Sequence, residues 1–346
     1  MPNRVEAVKH AGVPLASIVI PTHNRAASVA HVLESLSRQT ADMSAIEVVV
    51  VSDGSTDETL EMLRTRDWGL RLKVIEQEQS GVAAARNRGA AEATGPLLMF
   101  IDDDVAPAPG FVESNLRLQA ERGPSVALGR LAPSDLPDAN PPGWWRWLEW
   151  QFDKQYDEMI RGERIPDGHI LYSGNFCLPA QVFRDVGGFD ERVKYCEDSD
   201  LGLRLLDARV RFEFNPEAIG HHSGYRSYKS LLDASYRGGL WDAGEILKMS
   251  KAFMLGHVVH EYRERHPLLR KVAALLLGRP RLFSLGLKAM RGVAIVAGWL
   301  RLRKVERHAY GGIYDLVHWQ GVCDGLGGVS LLRRYLDVPE LNEVAA

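Results

Sequence analysis

The sequence is poor in cysteine, and its three cysteines stand far apart. Cys177, Cys196 and Cys323 form no Cys-x-x-Cys pair. A disulfide framework needs paired cysteines and a zinc knuckle needs clustered ones, so this spacing excludes both. Isolated reduced thiols of this kind are typical of a cytoplasmic protein.

Long apolar runs and a strong excess of one charge are also missing. No uninterrupted apolar stretch reaches membrane-spanning length, and residues 1–14 contain no apolar run, so we expect neither a spanning segment nor a signal peptide. The formal net charge of −3 disfavours nucleic acid as a partner. Internal repeats are absent as well, which excludes a solenoid.

The most informative segment that is present ends in three acids. The apolar residues Leu97–Ile101 are typical of a strand buried on both faces, and Asp102, Asp103 and Asp104 follow at once. Ligands bind at the carboxyl ends of strands in an open α/β sheet, and adjacent carboxylates repel one another unless a cation or a proton lies among them. A divalent metal site is therefore one interpretation, and a solvated acidic loop is the other.

Strands and helices alternate in the first hundred residues. Apolar runs predict strands at residues 16–20, 46–51, 70–75 and 97–101. Helical periodicity predicts helices between them at residues 26–39, 55–66 and 81–93. We expect a capping box of Ser55 and Glu58 to open the second helix and Gly95 to close the third. This alternation predicts βαβ units in an α/β fold with a mostly parallel central sheet.

The pattern is less regular after residue 105. Further strands are predicted near residues 126–129, 170–178 and 210–214, the last ending at Pro216. Trp144, Trp147 and Trp150 recur at helical spacing, which favours a packed stripe over a platform for an acceptor sugar.

The chain from residue 225 onward is helical in pattern, with many basic residues among its leucines. Such a segment lies on an anionic membrane surface or packs on the catalytic domain with its charges in solvent, and the sequence does not decide between the two. Lys288 and Arg291 argue against a spanning helix.

Polar side chains that suit a nucleotide follow the first two strands. The loop after the first strand offers hydroxyl, amide and guanidinium groups through Pro21, Thr22, His23, Asn24 and Arg25. Asp53, directly after the second strand, can accept from a uracil N3–H or a ribose hydroxyl, with a plain turn residue as the alternative. Arg86 suits a diphosphate because a guanidinium matches phosphate oxygens bidentately, with a surface ion pair as the alternative.

Six polar segments occur in a fixed order along the chain. Residues 17–25, 49–57, 81–89 and 100–104 read SIVIPTHNR, VVVSDGSTD, GVAAARNRG and FIDDD, and GGFDE at 187–191 and EDSDL at 197–201 follow them. In this order they resemble the family 2 glycosyltransferases of the GT-A fold, over about residues 16–222. The resemblance implies an inverting transfer of a sugar from a nucleotide-diphosphate donor, with a UDP-sugar favoured, to a hydroxyl of a glycan, lipid-linked or other acceptor.

The resemblance also implies roles for the acids. Asp102 and Asp104 match the outer acids of the Asp-x-Asp motif, which holds Mn²⁺ or Mg²⁺ at the donor diphosphate, and Asp103 is a secondary donor-site residue. Asp198 matches the general base that takes the proton of the acceptor hydroxyl. An acid that favours a helix N-terminus is the alternative for Asp198.

A histidine pair and two departures complete the comparison with the family. His221 and His222 fall where relatives place a histidine at the metal, and we prefer His222 by its spacing from Pro216. His23 stands where an aromatic residue is frequent, and Ser52 stands where a second Asp is frequent. These departures leave the base preference of the nucleotide site open.

We therefore expect a GT-A catalytic domain at residues 1–225 and a helical region at residues 226–346 that associates with a membrane or a partner. A role in cell-envelope polysaccharide synthesis, in the cytoplasm or at the cytoplasmic face of the membrane, follows from the resemblance. A nucleotidyltransferase is a rival, but the loop at residues 21–25 has no glycine. An inactive sugar-nucleotide-binding module is another, and Asp102, Asp104 and Asp198 speak against it.

Overall fold

The computed structural model describes residues 12–133, 141–223, 227–249, 258–259 and 262–336. Among these, residues 12–133 and 152–223 form one unit, and residues 141–151 form a second unit with the chain from residue 227 onward. The predicted boundary at residue 225 lies outside the described residues. Residues 141–151, which the sequence analysis placed in the catalytic domain, cluster with the helical unit instead.

Eight strands of the described residues form one sheet in the first unit. They are β1 (Ala16–Thr22), β2 (Ile46–Asp53), β3 (Arg71–Gln77), β4 (Leu97–Ile101), β5 (Val105–Pro107), β6 (Val126–Pro133), β7 (Asn175–Pro179) and β8 (Phe212–His222). Their spatial order is β3-β2-β1-β4-β7-β6-β8-β5. The pairs β3–β2, β2–β1, β1–β4 and β6–β8 are parallel, whereas β4–β7, β7–β6 and β8–β5 are antiparallel. The predicted parallel arrangement is thus confirmed for the first four strands.

The helices of the first unit cover both faces of this sheet. They are α1 (Ala26–Leu36), α2 (Thr59–Thr65), α3 (Val82–Glu92), α4 (Phe111–Arg122), the end of α5 (Gly143–Ile160), α6 (Ala180–Asp185) and α7 (Glu197–Asp207). Alternate residues of β1 serve opposite faces: Ile18 and Ile20 pack with Leu33 of α1, whereas Val19 packs with Phe100 and Leu201. Burial on both sides explains why these strands read as continuous apolar runs.

The predicted capping box at the start of α2 is wrong. The helix begins at Thr59, and its N-cap residue is Glu58, whose side chain makes no capping hydrogen bond. Asp57 accepts a hydrogen bond from Thr59 N at 3.1 Å instead, and the Ser55 hydroxyl accepts from Asn24 N at 3.1 Å. The local pattern was therefore correct for a helix but not for its first turn.

Gly95 does not cap α3 as predicted. The helix ends at Glu92, and Ala93 is already extended. A Cβ on Gly95 would lie 2.6 Å from the carbonyl carbon of Ala16. The glycine is needed because β1 passes close to the backbone there, a long-range contact that a local pattern does not reveal.

Strand β8 does not end at Pro216 as predicted but continues to His222. Its register against β6 shifts after Gly129. Gly129 lies opposite Asn215, whereas the next residue, Arg130, lies opposite Ile219, so three residues of β8 are left unpaired in between. A bulge accommodates a proline that has no N–H to donate. The predicted strand at residues 170–178 is also shorter: Gly168–Ile170 forms a 3₁₀ turn, and β7 begins at Asn175.

The tryptophans of α5 pack in the second unit. Trp147 is buried, and its ring lies 5.1 Å from that of Tyr314 between centroids. Trp150 is partly exposed, with the Arg307 guanidinium 4.7 Å from its ring. The packed-stripe interpretation is therefore confirmed for Trp147.

The described elements of the second unit are helices. Besides the start of α5 they are α8 (Tyr228–Met249), α9 (Pro267–Leu276), α10 (Pro280–Trp299), α11 (Arg303–Gly325) and α12 (Val329–Leu336). Among the helices that the structure describes, α10 is long and apolar enough to cross a membrane by length and composition. Its apolar residues are interrupted by Lys288 and Arg291, as the sequence analysis noted. Only 11% of its apolar window is buried, so α10 is not a core helix.

Candidate active site

Asp53 has a carboxylate held by the loop that precedes α3. Its Oδ1 accepts from Gln77 Nε2 and Ser80 N, and its Oδ2 accepts from Gly81 N, each at 2.8 Å. His23 lies beside it, with the ring Nδ1 2.7 Å from the main-chain oxygen of Asp53. The carboxylate is thus fixed at the carboxyl edge of β2, which a plain turn residue would not require.

The predicted nucleotide loop begins inside β1, because Pro21 and Thr22 are strand residues. Asn24 lies in the left-handed region, with φ of 53°. Its Oδ1 accepts from Thr56 N at 2.7 Å and from Asp57 N at 3.2 Å. Asn24 therefore ties the loop after β1 to the loop after β2, and this contact shapes the edge of the sheet.

Asp103 is enclosed by polar partners. Thr22 donates to its Oδ2 at 2.7 Å, and Arg25 Nη1 donates to its Oδ1 at 3.0 Å. The same Arg25 nitrogen lies 2.6 Å from Asp104 Oδ2. Burial raises the pKa of Asp103 to about 6, with Asp104 and Asp102 adding to the rise and Thr22 and Arg25 opposing it. Asp103 is thus held by Thr22 and Arg25, and Arg25 connects it to Asp104.

Arg86 is almost fully buried, which excludes the surface ion pair considered for it. Its Nη2 donates to Asp102 Oδ1 at 2.7 Å, and its Nη1 donates to Glu197 Oε1 at 2.9 Å. The guanidinium also lies 5.3 Å from the ring of Phe189. Both terminal nitrogens are therefore engaged by carboxylates, and Arg86 joins the end of β4 to the start of α7.

Asp198 lies in the first turn of α7, after Cys196 with φ of 61°. Its Oδ1 accepts from Ser199 N at 2.9 Å. Burial, together with the negative charge of Glu197 and opposed by Arg86, raises the pKa of Asp198 to about 6. A carboxylate with a pKa near neutrality is a better proton acceptor than an ordinary aspartate.

Ser173 is next to Asp198, and Gly174 is next to Asp102. The main-chain N–H of Ser173 is a hydrogen-bond donor to the Asp198 carboxylate. A Cβ on Gly174 would lie 2.9 Å from Asp102 Oδ2. Ser173 thus contacts Asp198, and the missing Cβ of Gly174 leaves room for the Asp102 carboxylate.

The two histidines at the end of β8 have different neighbours. His222 Nε2 lies 3.7 Å from Asp104 Oδ1. His221 Nδ1 lies 3.0 Å from the main-chain oxygen of Pro133. Because successive residues of a strand face opposite sides, only one member of the pair reaches the acids, and it is His222.

Asp102, Asp104 and His222 offer donors that suit Mn²⁺ or Mg²⁺. Among the described residues, no three His, Cys, Asp or Glu side chains gather closely enough to hold an ion by themselves. Arg86 donates to Oδ1 of Asp102, and Arg25 donates to Oδ2 of Asp104. The other oxygen of each carboxylate takes no part in these two ion pairs. Mg²⁺ usually binds through one or two carboxylates together with substrate phosphates. The donor set fits a metal whose coordination a diphosphate completes.

Three residues of this arrangement were not predicted as site residues. Glu197 is the second partner of Arg86, Ser173 donates to Asp198, and Gly174 leaves room for Asp102. Glu197 is adjacent to the predicted base, which was the available signal. The short Ser-Gly-Asn segment before β7 was visible in the sequence, but its position depends on a chain crossing that no local pattern shows.

Residues 17–187 match the model of the family described as glycosyl transferase family 2. This part of the chain is a family 2 glycosyltransferase domain. The chain resembles validoxylamine A glucosyltransferase of Streptomyces hygroscopicus subsp. jinggangensis, with 37% identity over 234 residues, 60% of this chain and 55% of the relative. It also resembles glycosyltransferase AglE of Haloferax volcanii, with 29% identity over 233 residues, 66% of this chain and 72% of the relative. The chain spans about half the length of the validoxylamine A glucosyltransferases that it matches.

Solved structures show the fold of this chain. TarS 1–349 of S. aureus superimposes with a TM-score of 0.52 at 18% identity, covering 88% of this chain and 89% of TarS 1–349. The mannosyltransferase PcManGT of Pyrobaculum calidifontis, solved with GDP-Man and Mn²⁺, gives a TM-score of 0.55 at 18% identity, covering 88% of this chain and 86% of PcManGT. At this identity the similarity shows the fold alone, and the predicted GT-A fold is confirmed.

Proposed function

We propose that the protein is a metal-dependent inverting glycosyltransferase that moves a hexose from a nucleotide-diphosphate donor to a hydroxyl of its acceptor. The bridge made by Arg86 supports this best, because one guanidinium joins Asp102 of the Asp-x-Asp motif to Glu197, the neighbour of Asp198. In this proposal, one buried cation binds both the acid that serves the donor and the neighbour of the acid that serves the acceptor.

The proposed reaction is a single displacement. Asp198 takes the proton of the acceptor hydroxyl while that oxygen forms a bond to the anomeric carbon. The bond from the anomeric carbon to the diphosphate oxygen breaks, and its electron pair leaves with the nucleoside diphosphate. Attack from the face opposite the leaving group inverts the anomeric centre. A divalent metal held by Asp102, Asp104 and His222 would neutralise charge on the diphosphate.

We propose a UDP-sugar as the donor. Asp53 is fixed by three donors, and a carboxylate has about four lone-pair sites, so it can accept one more hydrogen bond from a uracil N3–H. TarS 1–349 was solved with UDP-GlcNAc and PcManGT with GDP-Man, so relatives of this fold take donors with different bases. His23, beside the Asp53 main chain, is part of the same site.

For the acceptor, we propose a glycan or lipid-linked hydroxyl in cell-envelope polysaccharide synthesis. The catalytic domain works in the cytoplasm, and the helical region meets the cytoplasmic face of the membrane. A lipid-linked acceptor is reached most directly by an enzyme held at that surface.

The assignment of the base is tested with Asp198→Asn. The variant should lose transfer from UDP-hexoses, or hydrolysis of the donor, by roughly a thousandfold, because an amide does not accept the acceptor proton. Binding of UDP, followed by thermal shift, should be nearly unchanged. Asp207→Asn, at the other end of the same helix, is the matched control and should retain activity. Normal turnover of Asp198→Asn would remove the assignment.

Metal use and stereochemistry are tested separately. Chelation with EDTA should abolish activity and Mn²⁺ or Mg²⁺ should restore it, whereas activity that survives chelation would contradict the metal proposal. NMR of the first-formed product should show the anomer opposite to that of the donor, and retention would exclude a single displacement. A screen of UDP-, GDP- and dTDP-sugars with Mn²⁺ decides the donor.

A further inference from the structure

We propose that α10 docks on an anionic lipid bilayer through one apolar face and lies in the plane of the membrane surface. This inference rests on the proposed membrane location and assigns it to particular residues. Six large apolar side chains of α10 are exposed by 45 to 83%: Ile295, and a set of five that comprises Leu282, Leu285, Val293, Val296 and Trp299. At about 100° per residue the set of five falls on one side of the helix. We call this set the apolar stripe.

The opposite side of α10 is already used for packing. Ala294 and Ala297 are buried, and Leu287 and Met290 pack against a core cluster that contains Ile313 of α11. The apolar stripe is therefore not needed for the fold of the second unit. Exposed apolar surface of this extent, on one side of one helix, is typical of an interaction site.

The charges around α10 identify the partner. Residues 265–305 contain no Asp or Glu and ten basic residues, which are Arg265, Arg270, Lys271, Arg279, Arg281, Lys288, Arg291, Arg301, Arg303 and Lys304. Since the whole chain has 42 Lys and Arg against 45 Asp and Glu, the rest of it has 32 against 45. Pairing of two copies through this region would bring like charges together. An anionic lipid surface complements both the stripe and the charge.

Lys288 decides between lying on the membrane and crossing it. At 20 residues α10 is about as long as a bilayer is thick, so length alone does not decide. Lys288 is exposed near the middle of the helix, and together with Arg281 it lies along the edge of the apolar stripe. In a spanning helix Lys288 would lie in hydrocarbon, whereas in the membrane plane it reaches the headgroups.

Vesicle flotation of the full chain tests the proposal. The protein should float with vesicles of phosphatidylcholine and phosphatidylglycerol at low salt, should not float with phosphatidylcholine alone, and should be released by 1 M salt or alkaline carbonate. Arg281→Gln with Lys288→Gln should lower the partition coefficient roughly 30-fold. Leu285→Gln with Val296→Gln and Trp299→Gln should lower it by roughly tenfold or more.

Matched controls come from the first unit. Arg64→Gln with Arg122→Gln removes two exposed charges, and Ile165→Gln removes an apolar side chain that is 82% exposed. Neither change should alter flotation. Hydrolysis of UDP-sugar in solution should be equal in all these variants, so a failure of docking is distinguished from a failure of the proposed transferase function.

Four outcomes would overturn the proposal. Resistance to carbonate would show a spanning helix. Equal flotation with neutral vesicles would remove the role of charge, and flotation that neither set of α10 substitutions reduces would remove the role of this face. A dimer that the stripe substitutions convert to a monomer, with no flotation, would show that a second copy covers the stripe.

Discussion

Replacement of Arg86 by methionine tests whether one buried cation organises the site. Methionine keeps much of the length of the side chain and removes the charge. Asp102 and Glu197 then lose the guanidinium that lies 2.7 and 2.9 Å from them. The two carboxylates would lie near each other and near Asp198 with no cation between them.

The expected cost follows from how buried each partner is. Removal of one partner of a buried ion pair typically costs about 3–5 kcal/mol, because the remaining charge is left without compensation. Arg86 is 3% exposed and Glu197 13%, but Asp102 is 31% exposed, so water compensates part of the loss there. We therefore expect a loss near the lower end, about 3 kcal/mol in the free energy of unfolding.

Urea unfolding followed by circular dichroism measures this loss. Arg88→Met is the control, because Arg88 lies on the same helix, is 56% exposed and forms only an i,i+4 pair with Glu92. That change should cost no more than about 0.5 kcal/mol. Arg86→Lys should recover part of the loss, since a point charge serves one carboxylate well but not both. Equal stability of Arg86→Met and Arg88→Met would refute the reasoning.

Three further predictions concern activity. The pKa of Asp198 is about 6, so kcat/KM should fall as the pH drops through about 6, because the protonated base cannot accept a proton. Glu197→Gln removes a negative charge and should move this fall in kcat/KM to lower pH, and an unchanged pH profile would contradict the role of Glu197. Gly174→Ala should lower kcat with a normal circular dichroism spectrum, because its Cβ would lie 2.9 Å from Asp102 Oδ2; full activity would show that Asp102 can move freely. Asp53→Asn should weaken UDP binding roughly tenfold by calorimetry, because its amide would face a main-chain N–H, and unchanged affinity would place the base elsewhere.

The first four strands were predictable because their signals are local. A continuous apolar run such as Val48–Val51 indicates a buried strand, and the turn residues after it mark its end. Asp53 and Asp102–Asp104 follow such runs directly, so their placement at one edge of the sheet was predictable too. The family order of the motifs also identified the transferase domain, as the match over residues 17–187 confirms.

The errors have one cause, which is dependence on distant parts of the chain. Gly95 looks like a helix cap but makes room for β1, and Pro216 looks like the end of a strand but lies in a bulge of β8. The three-residue register shift of that bulge determines where His222 lies relative to Asp104. None of these long-range contacts can be predicted from the residues that are near in sequence.

The sequence by itself determined the α/β class, the parallel first half of the sheet and the identity of the acids at its edge, because apolar periodicity and motif order are properties of short segments. Only the tertiary structure decided how those acids are joined. Arg86 meets a glutamate 111 residues away, and this buried pair links the end of β4 to the start of α7. The tertiary structure also decided that one face of α10 packs while the other stays exposed. The sequence alone does not show whether an apolar helix face is buried or exposed.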